Sequence, residues 1–243
     1  MLVGEERGLQ DKNNQTALMI AGEEDYARAA SLLVPYEKDR IGSEGKTALV
    51  IAAEAGHETV VEAIDPTDEN GITALMRAVN RNDVGAVKAL LPIQRGRKTY
   101  KEVTISGWYM RTGTALMMAA AHGYAEIVEL LAEHEKGEKV GSWAALVFAA
   151  RCNRSNDPLV DYSKCVELLM EYESSISGWT ELIYAAARGH EEIVELLKQE
   201  ARMKNNEHQT ALMWAARNDH PECVRLLLKD EGGMQTTKGG PLL

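Results

Sequence analysis

The sequence predicts an all-α fold, a solenoid of about seven helix-turn-helix units. Three observations predict it. A T-A-L motif or a relative recurs along the 243 residues. A Gly, Asn or Asp stands at a fixed distance after each copy, and a second apolar-periodic segment then follows. Self-similarity at about 30 residues is the signature of stacked repeats, in which no unit buries its apolar face alone.

The anchor residue of each unit falls at Thr16, Thr47, Thr73, Thr114, Ala144, Thr180 and Thr210, at intervals of 31, 26, 41, 30, 36 and 30 residues. The anchor Thr is an expected N-cap, its hydroxyl taking up an otherwise unpaired helix N–H. Two positions on, every unit has Leu: Leu18, Leu49, Leu75, Leu116, Leu146, Leu182 and Leu212. Five positions on, every unit has Ala, a small residue that lets the first helix lie close to its neighbours: Ala21, Ala52, Ala78, Ala119, Ala149, Ala185 and Ala215. Nine positions on come Asp25, Gly56, Asn82, Gly123, Asn153, Gly189 and Asp219, the residue types that best tolerate left-handed backbone. This column ends a short inner helix. A second helix such as "EIVELL" follows, with its carboxylates expected on a solvated outer face. His57, His190 and His220 fall in the turn between the two helices, where a structural, hydrogen-bonding role is expected.

Composition agrees. Hydrophobic residues make up 45% of the chain, yet there is one Phe, so the core is aliphatic and suits helix packing better than a β-sandwich. The net charge of −10 argues against general nucleic-acid or anionic-membrane binding. No apolar run approaches the ~20 residues of a membrane span. Cys152, Cys165 and Cys223 are odd in number with no CxxC spacing, so neither a disulfide framework nor a zinc site is indicated. Cys165 and Cys223 share the outer-helix column of Ile127 and Ile193 and read as core. A cytoplasmic setting, the cytoskeleton included, is expected.

No P-loop, post-strand GxGxxG, HExxH or GxSxG motif is present. His57-Glu58 and His190-Glu191 lack a second His one turn on. Hence no enzyme activity, cofactor or metal is expected.

These columns resemble the ankyrin repeat, G-x-T-P-L-H-x-A-A-x-x-G-H-x-E-x-V-x-L-L, over about 90% of the chain. Ala replaces the family's Pro, and Met19, Met76, Met117 or Met213 replaces its His. This TALM style is similar to ankyrin-only proteins, and to the ankyrin tails of NEK-like kinases, of some flagellate protists. The resemblance implies L-shaped units in a curved stack with projecting finger loops, and a protein partner bound at the finger tips and inner helices. Neither end reads as a polar cap, so the array is expected to belong to a longer one or to fray.

The residue before each anchor lies at a finger, as Ile72, Trp143 and Trp179 do, and the two tryptophans come from successive units. Trp214 shares a column with Ile20, Ile51, Met118, Phe148 and Tyr184 and is expected in the core; Arg77 is that column's exception. At the inner-helix ends the charge changes along the chain. Glu23, Glu24 and Glu54 give way to Arg81, His122, Arg151, Arg188 and Arg217. Such a basic line favours an acidic partner, with steering that weakens as salt rises.

Two insertions break the period. Residues 92–113 hold Arg95, Arg97, Lys98, Lys101 and Arg111 against the single acid Glu102, with Tyr100, Trp108 and Tyr109 interleaved. The alternation of Val103, Ile105 and Trp108 suggests a hairpin finger. Residues 154–162 form a second insertion between the helices of the fifth unit. The expected function is a monomeric, non-enzymatic scaffold or adaptor that binds a protein partner. The alternatives are a regulatory or targeting segment of a larger kinase-type protein, and polymer or nucleic-acid binding through the basic insertion.

Overall fold

The computed structural model describes residues 9–101, 103–105, 108–110, 112–135, 145–151, 159–170 and 180–235. The chain divides between Glu102 and Val103 into two compact units. In the first unit, three inner helices alternate with three outer ones. They are α1 (Ala17–Glu23) and α2 (Ala27–Glu37), α3 (Ala48–Glu54) and α4 (Glu58–Ile64), then α5 (Ala74–Asn80) and α6 (Val84–Gln94). The second unit opens with a β-hairpin, β1 (Val103–Ile105) and β2 (Trp108–Met110), in antiparallel register Val103↔Met110, Thr104↔Tyr109, Ile105↔Trp108. Four helix pairs follow: α7 (Ala115–His122) and α8 (Ala125–Glu135), α9 (Ala145–Arg151) and α10 (Tyr162–Met170), α11 (Glu181–Arg188) and α12 (Glu191–Leu196), α13 (Ala211–Arg217) and α14 (Pro221–Glu231). A 3₁₀ turn, Lys198–Glu200, extends α12. Here the inner helices α7, α9, α11 and α13 pack in succession, as do the outer helices α8, α10, α12 and α14.

Each column acts where its chemistry requires. The side chains of Thr16, Thr47, Thr73, Thr114 and Thr180 accept from the N–H three residues on, at 3.2 to 3.5 Å. Thr210 makes no such cap bond; its N–H donates to Met213 Sδ at 3.5 Å, so the Met that replaces the family's His still holds the turn. The Leu and Ala columns are buried in all seven units. The turn column has left-handed φ at Asp25, Gly56, Asn82, Gly123, Gly189 and Asp219, between 54° and 79°. Asn153 lies outside the described residues.

The turn histidines do more than tie their own turn. His57 Nδ1 lies 3.0 Å from Gly22 O and His220 Nε2 3.2 Å from Ala187 O, each the carbonyl of the preceding unit's inner helix. In the fifth unit Tyr162, at the end of the 154–162 insertion, takes this place. Its hydroxyl donates to Ala121 O at 3.3 Å. Glycine at 189 is required twice over. Its φ is +73°, and a Cβ there would lie 2.7 Å from His220 Nδ1.

The carboxylates of the outer helices are not all solvated, which corrects the sequence reading. Glu37, Glu135 and Glu231 end their outer helices almost fully buried. Their oxygens accept the backbone N–H of Leu18, Leu116 and Leu212 at 2.7 to 2.8 Å. Gln94 does the same for Leu75 at 2.8 Å and Glu200 for Leu182 at 3.0 Å. The first N–H groups of a helix have no partner within it, and the helix dipole favours an acceptor there. A carboxylate buried this way satisfies the inner helix from across the repeat. The signal was in the sequence, an acid or amide 20 or 21 residues after the anchor, hidden among exposed glutamates.

Candidate protein-interaction site

The fingers are built on side-chain turns. Asp11, Asp68 and Asn205 stand five residues before their anchors, and each Oδ1 accepts two backbone N–H groups at 2.8 to 3.0 Å. In the third finger these N–H groups belong to Asn70 and Ile72, so Ile72 is held half-buried with a fixed backbone. Trp143 and Trp179, the aromatic finger candidates, lie outside the described residues, as does Cys152. Cys165 and Cys223 are buried thiols of the outer-helix core. Among the described residues, no cluster of His, Cys, Asp and Glu is arranged to hold a metal ion, and no helix is long and apolar enough to cross a membrane.

In the first unit Lys38, Lys46, Arg77 and Arg97 are paired with carboxylates. Lys46 Nζ lies 2.9 Å from both Glu44 and Glu54, which raises its pKa. These three residues, with Glu23 and Ile51, line a cleft of about 550 Å³ beside the first two fingers. Arg77, the exception in its column, now has a reason. The interval between the second and third anchors is only 26 residues. Arg77 bridges this short connection by donating to Asp65 Oδ2 at 3.1 Å, Ile72 O at 2.9 Å, Asp65 O at 3.2 Å and Pro66 O at 2.5 Å. Lys38 Nζ holds the other Asp65 oxygen at 2.9 Å. Burial alone would raise the pKa of Asp65, but hydrogen bonds from Lys38 and Arg77 outweigh it and the net shift is downward.

The insertion begins later than its composition suggests, because α6 continues through Pro92 to Gln94. Arg97 is taken up by Glu62 Oε1 at 2.8 Å and by Glu58. Arg95, Lys98, Tyr100 and Lys101 remain exposed. The Tyr100 N–H donates to Asn70 O at 2.7 Å, which fastens the start of the insertion to the third finger. Trp108 and Tyr109 lie in β2, and the described structure gives their backbone only. Arg81 is exposed at the C-cap of α5.

The second unit holds two inner-helix arginines over rings. The guanidinium carbon of Arg151, on α9, lies 5.2 Å from the centroid of Tyr184 on α11. That of Arg217 lies 5.1 Å from the Trp214 ring on α13. Ring faces carry negative potential, which holds a cation there by about 0.5–1 kcal/mol at exposed sites. Burial pushes the Tyr184 phenol up, with Glu181 adding and Arg151 opposing. Arg188 is exposed at the end of α11. His122 leaves the basic line. It stacks on Tyr124 at 5.1 Å, and burial lowers its pKa, so it is neutral at pH 7.

The Trp214 column corrects the sequence reading in the other direction. Met118 and Phe148 are buried, but Tyr184 and Trp214 are half-exposed and Ile20 is 43% exposed. The column lies on the edge of the inner-helix face, where a large ring keeps part of its surface in solvent. Tyr184 and Trp214 thus join the candidate site that periodicity alone had assigned to the core.

These paired helices with hydrogen-bonded fingers define a helical repeat protein. The ankyrin-repeat family profile (three copies per match) fits residues 1–64, 61–140, 102–176 and 159–238, and the chain belongs to that family. It is 26% identical over 230 residues to the ankyrin repeat domain-containing protein SAT10 of Stachybotrys chartarum, covering 76% of this chain and 12% of that protein. It is 27% identical over 215 residues to the ankyrin repeat and KH domain-containing protein mask-1 of Caenorhabditis elegans, covering 76% and 8%. The chain therefore spans about a tenth of the length of these relatives. Among solved structures, the human ASB11 ankyrin repeat domain superposes with a TM-score of 0.53 at 20% identity, over 91% of this chain and all of that one. That similarity concerns the fold. Ankyrin repeats generally mediate protein–protein interaction.

Proposed function

We propose that this chain is a non-enzymatic scaffold or adaptor, and that it binds a protein partner carrying carboxylates on the inner-helix face of repeats five to seven. The observation that carries the reading is the pair of rungs, Arg151 over Tyr184 and Arg217 over Trp214. Arg188 lies beside them. A guanidinium held on a ring is pre-organised, and its planar fork matches a carboxylate in the bidentate geometry that makes Arg an interface anchor. Finger residues Trp143 and Trp179 belong to the same proposal, and Ile72 and the exposed Arg81 are proposed as partner contacts of the first unit in their own right.

Charge reversal tests it. Arg151→Glu with Arg217→Glu, checked for fold by circular dichroism, should abolish capture of a partner that the parent chain retains. Unchanged capture would contradict the reading. A second reading, anionic-polymer binding through the insertion, is favoured by the exposure of Arg95, Lys98, Tyr100 and Lys101. Replacing those residues would abolish such binding and its steep salt dependence. The share of the relatives' length that the chain covers suits a targeting or regulatory segment within a larger protein, of which a kinase of the protist type is one form. A monomeric, cytoplasmic protein is part of the same proposal.

A further inference from the structure

Neighbouring repeats meet through fixed columns, and the first and last repeats each leave a set of these columns open. In the first unit Gly22, six residues after its anchor, faces repeat two closely. A Cβ there would lie 3.0 Å from Ala48 O and 3.5 Å from Ala52 Cβ. Helix α1 thus packs on α3, as α2 does on α4. The residue after the anchor is buried in every unit except the first, where Ala17 is exposed. The outer-helix column of Val60, Ile127 and Cys223 is likewise buried everywhere except at Ala29. These two columns form a leading face, open at repeat one.

A trailing face is open at repeat seven. The Gly22 column is buried in every other unit, yet Ala216 is exposed. The column of Ala30, Val61 and Val194 is buried in the same units, yet Val224 is only half-buried. Polar positions open together with the apolar ones. Inside the first unit Thr59 Oγ1, on α4, donates to Asp25 Oδ1 at 3.0 Å across the repeat boundary. At the leading face the Thr59 column holds Arg28, and at the trailing face the Asp25 column holds Asp219. Both are exposed, and neither side chain has a hydrogen bond or ion pair among the described residues.

We propose that the two open faces receive each other: the leading face of repeat one in one copy of the chain stacks on the trailing face of repeat seven in a second copy. In this head-to-tail contact Ala17 and Ala29 are covered as Ala48 and Val60 are inside the first unit. Arg28 stands against Asp219 where Thr59 meets Asp25, so an ion pair replaces a neutral hydrogen bond. An aliphatic surface of an unrelated protein would cover the alanines but would leave Arg28 without its acid. Charge therefore favours a second copy.

The leading face also carries Tyr26, exposed in the column of His57, whose ring reaches the Gly22 carbonyl of the repeat before it. Tyr162 shows that a phenol makes the same kind of contact. In the stacked pair the Tyr26 hydroxyl is placed to donate to a carbonyl at the end of α13. Each docked copy keeps one open face of each kind, so the contact is heterologous and leads to open chains or rings. It is one repeat wide, at the weak end of interface sizes. The dilute chain is thus the monomer of the proposed function, and copies join as concentration rises.

The test is sedimentation equilibrium of the intact chain from about 1 μM to about 1 mM, the span of weak contacts. The weight-average mass should at least double across that range, and rise less in high salt, which screens Arg28 and Asp219. Ala29→Glu and Ala216→Glu each place a carboxylate on one exposed alanine, so the fold is kept and one face is spoiled. Each variant alone should stay at the mass of one chain. An equimolar mixture should rise to two chains and stop there, because each variant retains the face that the other has lost. A parent mass that stays at one chain would overturn the proposal and leave the faces to a flanking repeat or to another protein. A mixture that grows past two chains, or a variant that associates as the parent does, would overturn it as well.

Discussion

The two units use one repeat frame and hold their inner-helix arginines differently. In repeats one to three, each described ion pair consumes a cation: Lys46 between Glu44 and Glu54, Arg77 and Lys38 on Asp65, Arg97 on Glu58 and Glu62. In repeats five to seven, Arg151 and Arg217 rest on rings. The buried carboxyls differ likewise. Asp65 is held down by two cations, whereas Glu200 is pushed up by burial and a second carboxyl. A column of like residues therefore does not imply a like role. Arg77 is structural because its connection is short, and Arg217 is displayed because nothing acidic reaches it among the described contacts.

The largest effects are expected where backbone and packing coincide. Gly189→Ala combines left-handed backbone with a clash against His220 and should cost about 2–4 kcal/mol. Gly56→Ala, in the same column, meets nothing within 4 Å. It should cost only about 1–2 kcal/mol. Denaturant melts of the two variants sharpen the comparison; equal losses would break it.

Arg77→Ala comes next. It removes one of the two cations on Asp65 and the donor to three backbone carbonyls, those of Asp65, Pro66 and Ile72, and should destabilise by about 1–3 kcal/mol. It also carries a pH signature. Because the folded pKa of Asp65 lies below its unfolded value, its contribution is present above about pH 4 and is lost as pH falls further. The variant should thus converge with the parent in acid. Urea melts at pH 3 and 7 check this.

Arg217→Ala should cost less than about 1 kcal/mol of stability, since the ring contact is exposed. Smallest of all is Glu135→Gln. Gln94 already performs the same task in repeat three, so the N–H of Leu116 keeps an acceptor and the expected loss is below about 1 kcal/mol.

Much of this was legible from periodicity. The anchors, the Leu and Ala columns, the left-handed turns and the insertion's hairpin all follow from spacing and residue type. The buried Glu37, Glu135 and Glu231 were not legible, because an acid on an amphipathic helix reads as solvated unless the repeat is aligned over its whole length. Trp214 and Tyr184 read as core because the column also holds Met118 and Phe148, which are buried, and periodicity does not tell a buried position from one at the edge of the same face. Arg97 read as a contact residue since Glu58 and Glu62 lie 39 and 35 positions away. The basic line was legible in sign, but His122 dropped out through burial and stacking, which sequence does not show.

The central claim is that repeats five to seven, not repeats one and two, receive the partner. Photo-crosslinking in the source cell tests it directly, with the reactive side chain placed at Trp214 and, separately, at Ile20 of the same column. The account predicts that a partner is captured from position 214, is lost in high salt and in Arg151→Glu with Arg217→Glu, and is not captured from position 20. Capture from position 20 alone, or capture at 214 that survives the charge reversal undiminished, would contradict it.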